Sequence, residues 1–210
     1  PGHLPTFNSM AIECHLHRIP QLGDQFIYLN DDVFFLRKTT SSSFLTPDGG
    51  HEVPLEEGPM PSSLLRGETT DRSLAYTGLV LGRRFASLSP GLLVAHGPQV
   101  YDRRWMNWIW GQWQAELERT SRSRFRQTDC IAWRYLYYYS LLHLAANERP
   151  EFARSSSYPM RILSAKELQL LMLANSAENI SSHLESIDGS PPAFLCINDD
   201  EPDTAAAKRK

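Results

Sequence analysis

Short apolar runs alternate with polar and turn-forming stretches along the chain, and this pattern predicts several strands among helices. Three runs have the length of a buried strand: QFIYL at 25–29, GLLVA at 91–95 and AFLCI at 193–197. Polar residues follow each run directly, namely Asn30-Asp31-Asp32, His96-Gly97-Pro98 and Asn198-Asp199-Asp200. Because ligands of open α/β sheets bind beside the carboxyl ends of strands, these three polar segments are the first candidates for a site.

Helical spacing of apolar residues predicts the remaining elements. Helices are expected over 7–20, 73–85, 102–120, 129–147 and 164–175. The candidate N-caps are Asn8 or Ser9 for the first helix, Thr128 or Asp129 for the fourth, and Ser164, with capping-box spacing to Glu167, for the fifth. Residues 38–72 are rich in turn formers and are expected to form a long irregular segment.

These elements predict an α/β fold with a small, mostly parallel sheet flanked by helices and a helix-rich section spanning about 102–175. One domain is expected over 1–200, followed by a disordered tail at 201–210. The Trp-rich stretch before residue 120 and the Tyr-rich stretch after residue 129 are interpreted as core packing.

Composition narrows the classes of function. A net charge of −3 and a pI of about 6.2 argue against a general nucleic-acid binder. No apolar run approaches the roughly 20 residues that span a bilayer. The chain begins PGHLPTFN, with neither an initiator Met nor an apolar signal-peptide segment, so it is expected to be a piece of a longer protein. Cys14, Cys130 and Cys196 are isolated, which supports neither a zinc ribbon nor a disulfide framework.

The polar segments suggest metal-assisted chemistry on a phosphate. Carboxylate and amide oxygens such as those of Asn30, Asp31 and Asp32 are hard ligands suited to Mg²⁺ or Mn²⁺. Transfer of a phosphoryl group also needs positive charge and a positioned nucleophile. The arginines within 119–126 are candidates for the charge, and His96 is a candidate general base or nucleophile.

Each candidate also has a purely structural explanation. The two Asp-Asp pairs could be solvated turns, His96 a hydrogen-bonded turn residue, and the arginines one solvated helix face or loop. Glu13 and His17 could form an ordinary surface pair four residues apart. His15 and His17 do not predict zinc, because the stretch has no HExxH motif and no Cys partner.

Several segments together resemble the Stealth family of hexose-1-phosphate transferases. That family includes the catalytic subunit of the lysosomal-enzyme N-acetylglucosamine-1-phosphotransferase and bacterial capsule polymerases. The resemblance extends from about residue 7 to 200 and lies in FNSMAIECHLHRIPQLGDQFIYLNDDVFF, FLTPDGG, VAHGPQ, RFRQTD and FLCINDD, in family order. The family's first block is missing and should lie before residue 1.

The resemblance implies a role for individual residues. It assigns catalytic roles to Glu13, Asp32, His96 and Arg126, substrate binding to Asn30, Asp129, Asn198 and Asp199, and metal binding to Asp31 and Asp32. Family members move a sugar 1-phosphate from a nucleotide sugar to a hydroxyl of a glycan, form a phosphodiester, release a nucleoside monophosphate and depend on a divalent cation. The resemblance therefore implies Mg²⁺ or Mn²⁺, a nucleotide-sugar donor and a glycan or polysaccharide acceptor.

Two other functions fit the same residues. A metal-dependent glycosyltransferase would use a similar acidic motif and release a nucleoside diphosphate, and a non-catalytic fragment could bind carbohydrate or protein. The missing first block favours the fragment. Eukaryotic relatives are Golgi membrane proteins and bacterial relatives are not, so no compartment is assigned.

Overall fold

The computed structural model describes residues 2–85, 91–147, 150–153, 156–164, 167–172, 181, 185 and 187–198. Its helices and strands are α1 (Ser9–Glu13), β1 (Gln25–Tyr28), β2 (Val33–Phe35), β3 (Val53–Pro59), α2 (Thr69–Arg84), β4 (Leu92–Val94), β5 (Gln99–Asp102), α3 (Arg103–Gln112), α4 (Gln114–Arg122), α5 (Trp133–Asn147), β6 (Met160–Ile162), β7 (Leu168–Met172) and β8 (Phe194–Asn198). No helix in the described part of the chain is long and apolar enough to cross a membrane.

The chain divides into two compact units. The first contains Pro1–Ile27, Phe44–Ala95 and Val100–Ile162, and the second contains Tyr28–Ser43, His96–Gln99 and Leu163–Lys210. The first unit contains helices α1 to α5 and a three-stranded sheet in the order β4-β3-β6. Strand β3 pairs antiparallel with β4 and parallel with β6. Strands β1 and β5 form a separate two-stranded sheet.

Three consecutive tyrosines of α5 hold the strands of the first unit by their hydroxyl groups. Tyr138 Oη accepts from Val100 N at 3.0 Å and donates to Val100 O at 3.0 Å. Tyr139 Oη does the same at Leu92, at 3.1 and 2.6 Å, and Tyr137 Oη accepts from Asp102 N at 2.9 Å. The tyrosines are therefore core residues, as predicted, and they also satisfy backbone groups that would otherwise be buried without partners.

Helix α5 begins at Trp133, four residues later than predicted, and neither Thr128 nor Asp129 is its N-cap. The backbone amides just before the helix are bound by threonine hydroxyls from other helices. Ile131 N donates to Thr120 Oγ1 at 2.8 Å, and Ala132 N donates to Thr77 Oγ1 at 2.9 Å. These tertiary bonds replace the local cap, and no sequence-local rule could have indicated them.

Two other helices are shorter than predicted. Asn8 is confirmed as the N-cap of α1, since its side chain accepts from Met10 N, but α1 ends at Glu13 and a separate 3₁₀ turn follows at Leu16–Arg18. The Trp-rich helix is divided at Trp113, whose backbone (φ −128°, ψ 39°) is not helical and whose indole is buried beside Phe85.

The second unit contains a three-stranded sheet in the order β2-β8-β7. Central strand β8 pairs antiparallel with β2, with Val33 opposite Cys196, and parallel with β7, with Leu168 opposite Phe194. The α/β class is confirmed, but the mostly parallel sheet is wrong: the strands form small mixed sheets with an antiparallel pair in each three-stranded one.

Two predicted segments have a different structure. The helix predicted over 164–175 is wrong in the part of this segment that the structure describes, because Leu168–Met172 is strand β7. The capping-box residues are in contact, with Ser164 N donating to Glu167 Oε2 at 3.0 Å, but they close a turn before a strand. The segment 38–72 contains strand β3, whose alternation of buried Val53 and Leu55 is obscured by its prolines and glutamates. The tail at 201–210 lies outside the described residues.

Candidate functional site

The Asn30-Asp31-Asp32 segment forms a turn that leads into β2. Val33 N donates to Asn30 O at 3.2 Å, which closes the turn, and Ile197 N of β8 donates to Asp32 O at 2.9 Å. Asp32 therefore lies at the amino end of β2, next to the carboxyl end of the antiparallel strand β8. The three predicted strands do not belong to one mostly parallel sheet, because β1, β4 and β8 lie in three different sheets.

His96 lies beside this turn. Its Nε2 is 2.6 Å from the Asn30 side-chain nitrogen and 4.0 Å from Asp32 Oδ2. The next residue, Gly97, packs closely against β7, because a Cβ atom there would lie 3.2 Å from a methyl group of Leu168. Three side chains predicted from distant parts of the sequence, Asn30, Asp32 and His96, are thus brought together in one unit.

Cys196 is the member of this cluster that the sequence analysis did not select. It is fully buried on β8, with Sγ 3.5 Å from Asp32 Oδ2 and 3.7 Å from His96 Nδ1. Residues two apart on a strand share a face, so the selection of Asn198 could have indicated Cys196 as well. Asp32, His96 and Cys196 each offer a ligand atom, and these atoms all lie within 4.8 Å of one another.

The Asp32 carboxylate has capacity to bind a further group. Its Oδ1 is buried and has no hydrogen-bond partner among the described residues, while Oδ2 faces the thiol and the imidazole. A buried carboxylate oxygen without a donor or a cation is costly, so a cation at Asp32 would satisfy this oxygen. Asp32 therefore fits a divalent ion.

The neighbouring candidates contribute differently. Asp31 is exposed and does not belong to the three-residue cluster. Asn198 is half-buried at the end of β8, opposite Met172 in the parallel register with β7. Asp199 lies outside the described residues.

Arg126, Glu13 and Asp129 belong to the first unit. The Arg126 guanidinium donates to Ser9 Oγ and to Thr70 Oγ1, both at 2.9 Å. Both partners are neutral hydroxyl groups, so these bonds orient the guanidinium without neutralising its charge. Asp129 instead lies 3.4 Å from Arg119 Nε in a half-exposed ion pair.

Glu13 is the last residue of α1. The surface pair with His17 is wrong, because α1 ends before His17, which is buried and whose pKa is lowered by burial to about 4. Burial, and next the charge of Glu13, raises the pKa of Cys14 to about 12. Cys14 is therefore a protonated thiol at neutral pH and not a nucleophile.

Comparison with known families identifies two conserved regions in this chain. Residues 1–53 match Stealth protein CR2, conserved region 2, and residues 95–143 match Stealth protein CR3, conserved region 3. The first match contains Glu13, Asn30 and Asp32, and the second contains His96 and Arg126.

Curated bacterial proteins are similar over most of the chain. A capsular polysaccharide phosphotransferase of Haemophilus influenzae is 30% identical over 94% of this chain and 52% of its own length. An exopolysaccharide phosphotransferase of Nocardia farcinica is 31% identical over 93% of this chain and 36% of its own length. An exopolysaccharide phosphotransferase of Streptomyces coelicolor is 35% identical over 95% of this chain and 34% of its own length.

The chain thus spans about half, or less, of each of these relatives. The two conserved regions occur in the order expected from the resemblance, and their candidate residues Asn30, Asp32 and His96 lie together in the structure. On these grounds the chain belongs to the Stealth protein family, whose conserved regions 2 and 3 it contains.

Proposed function

We propose that this protein transfers a sugar 1-phosphate from a nucleotide sugar to a hydroxyl group of a polysaccharide and releases a nucleoside monophosphate. The observation that supports it most is the cluster of Asn30 and Asp32 from one conserved region with His96 from the other. Relatives named for capsular and exopolysaccharide phosphotransfer provide the class of acceptor.

The reaction forms one bond to phosphorus and breaks another. The acceptor hydroxyl oxygen attacks the phosphorus that carries the sugar, and the bond from that phosphorus to the bridging oxygen of the pyrophosphate breaks. The electron pair and negative charge leave with the nucleoside monophosphate. His96 takes the proton of the acceptor hydroxyl, and Asn30, 2.6 Å from its ring, holds the imidazole in place.

Asp32 would hold a divalent cation, Mg²⁺ or Mn²⁺, against the donor pyrophosphate. A single protein carboxylate together with substrate phosphates is a common way to bind Mg²⁺. The bound ion would offset the negative charge of the pyrophosphate. The buried Asp32 Oδ1 that has no partner among the described residues supports this assignment, and exposed Asp31 would orient or supplement it.

For Arg126 and Glu13, which belong to the first unit, the proposed roles rest on the resemblance of the sequence to the family. The Arg126 guanidinium donates to two hydroxyl groups, and it would stabilise the charge on the transferring phosphate. Glu13 would share the acid–base chemistry. Asn198, Asp199 and Asp129 are proposed to bind substrate.

The test is to identify the nucleotide that is released. The purified chain is incubated with Mg²⁺, a polysaccharide acceptor and a panel of nucleotide sugars, and the products are separated by ion-exchange chromatography. Nucleoside monophosphate should form in proportion to phosphodiester product. Asp32→Asn should strongly reduce both, whereas Glu118→Gln, which changes one surface ion pair on α4, is the matched control.

Two results would contradict the proposal. Release of a nucleoside diphosphate would identify a glycosyltransferase. A folded sample that releases no nucleotide from any donor would remove the catalytic assignment from this chain and favour a binding module.

A further inference from the structure

Cys196 adds sulfur to a site whose expected ligands are oxygen and nitrogen. Its thiol is buried between Asp32 Oδ2 at 3.5 Å and His96 Nδ1 at 3.7 Å, and the Asp32 and His96 side chains approach within 4.0 Å. Three different ligand types thus converge from β8, from the turn before β2 and from the segment 96–99.

The spacing of these atoms agrees with a tetrahedral ion. Bonds of about 2.0–2.3 Å to oxygen, nitrogen and sulfur separate neighbouring ligands of tetrahedral zinc by about 3.4–3.6 Å. The Cys196 sulfur lies 3.5 Å from Asp32 Oδ2 and 3.7 Å from His96 Nδ1, which is close to these values, and one ligand atom from each of the three residues lies within 4.8 Å of the other two. Asp32 Oδ1 is buried and has no hydrogen-bond partner among the described residues, which is a second observation that favours a cation here.

We propose that Asp32, His96 and Cys196 form a Zn²⁺ site with three protein ligands and one open position. Thiolate and imidazole ligands favour Zn²⁺ over Mg²⁺, which prefers oxygen. The Asn30 side-chain nitrogen lies 2.6 Å from Nε2, the ring nitrogen that does not face the thiol; when Nδ1 ligates the ion, a turn of the amide by 180° brings its oxygen to accept from Nε2–H. Asn30 is a positioning residue in this arrangement.

Zinc at this site is an inhibitor of the proposed reaction. It would occupy the Asp32 carboxylate needed for Mg²⁺ and the imidazole needed as a base. This consequence rests on the proposed function, whereas binding of zinc itself does not.

Binding is tested with Co²⁺, which replaces Zn²⁺ and is visible by absorption. The intact chain should bind one Co²⁺ with a sulfur-to-cobalt charge-transfer band in the near ultraviolet and with the intense visible bands of a tetrahedral ion. One equivalent of Zn²⁺ should abolish these bands. Cys196→Ser should remove the charge-transfer band, whereas Cys14→Ser and Cys130→Ser, which alter the other two buried free cysteines, should keep it.

Asp32→Asn is a second variant that leaves the thiol in place. It should weaken Zn²⁺ binding by at least about tenfold, measured by competition with a chromophoric chelator. A charge-transfer band that persists in Cys196→Ser, unchanged affinity in Asp32→Asn, or weak octahedral Co²⁺ bands in the intact chain would each overturn the site. If a zinc-loaded chain that shows the band turns over Mg²⁺-dependent substrate at the full rate, the inhibition is wrong and the site remains.

Discussion

The side-chain amide of Asn30 lies 2.6 Å from Nε2 of His96, a residue 66 positions away. Asn30 belongs to conserved region 2 and His96 to conserved region 3, so this contact joins the two matched regions of the chain within one unit. A hydrogen bond to one ring nitrogen decides which nitrogen is available for chemistry. We therefore expect the effect of Asn30 on function to operate through His96.

Asn30→Ala should lower kcat by about tenfold while KM changes less, because the imidazole loses the group that orients it. Steady-state kinetics of phosphodiester formation would check this. Asn107→Ala, an exposed asparagine on α3, is the control. Equal loss of kcat in both variants, or a change confined to KM, would contradict a positioning role for Asn30.

Asp32 and Asp31 are adjacent, but only Asp32 lies in the cluster. Asp32→Asn should therefore reduce turnover much more than Asp31→Asn, and the Asp32 variant should need a higher Mg²⁺ concentration for half-maximal rate. Rate measurements over a Mg²⁺ titration distinguish the two. The larger loss in Asp31→Asn would move the metal assignment to the exposed carboxylate.

His96→Gln should lower the rate by about 10²–10⁴-fold, the usual contribution of a general base. The free energy of unfolding should change little, because His96 is partly exposed and Gln can still bond to Asn30. Denaturant unfolding of the same sample provides the control. Full turnover in this variant would exclude His96 as the base.

Replacing Gly50 or Gly82 by alanine should change the free energy of unfolding in opposite directions. A Cβ atom on Gly50 would lie 1.8 Å from the backbone carbonyl oxygen of Ser157, so Gly50→Ala should destabilise the chain by about 3 kcal/mol. Gly82 lies on α2 with nothing within 4 Å of its Cβ position, so Gly82→Ala should stabilise by about 0.5–1 kcal/mol. Urea unfolding measures both. Similar midpoints for the two variants would contradict the close approach at Gly50.

His51 should make stability depend on pH. Burial lowers its pKa to about 4, and the charge of Asp102 opposes this only in part, while Tyr137, Tyr138 and Tyr158 surround the ring. The unfolded chain binds the proton near pH 6.5, so the stability present above that pH falls as the pH decreases toward 4, by about 3 kcal/mol in total.

His51→Phe should flatten this part of the curve of unfolding free energy against pH. His17, whose pKa is also about 4, keeps its own contribution in that variant. The difference between the two curves isolates His51. Parallel curves from pH 7 to 4 would show that His51 is protonated equally in the folded and unfolded chains.

The pattern of apolar and polar residues correctly predicted those strands and helices that are determined by their own local sequence. Strands β1, β4 and β8 lie in the three apolar runs, and α2 covers the predicted 73–85 almost completely. The same pattern failed for 168–172, where five apolar-rich residues satisfy helix and strand equally well until β8 is present to pair with them.

The sequence alone determined the family, through its motifs. It also determined the chemical character of Asn30, Asp32 and His96. Tertiary structure alone decided that β2 runs antiparallel to β8, because strand pairing depends on backbone bonds between residues far apart in the chain. That pairing places Val33 opposite Cys196 and brings the buried thiol to the Asp32 carboxylate. The strand period could place Cys196 on the same face as Asn198, but only the folded chain shows that this face meets Asp32.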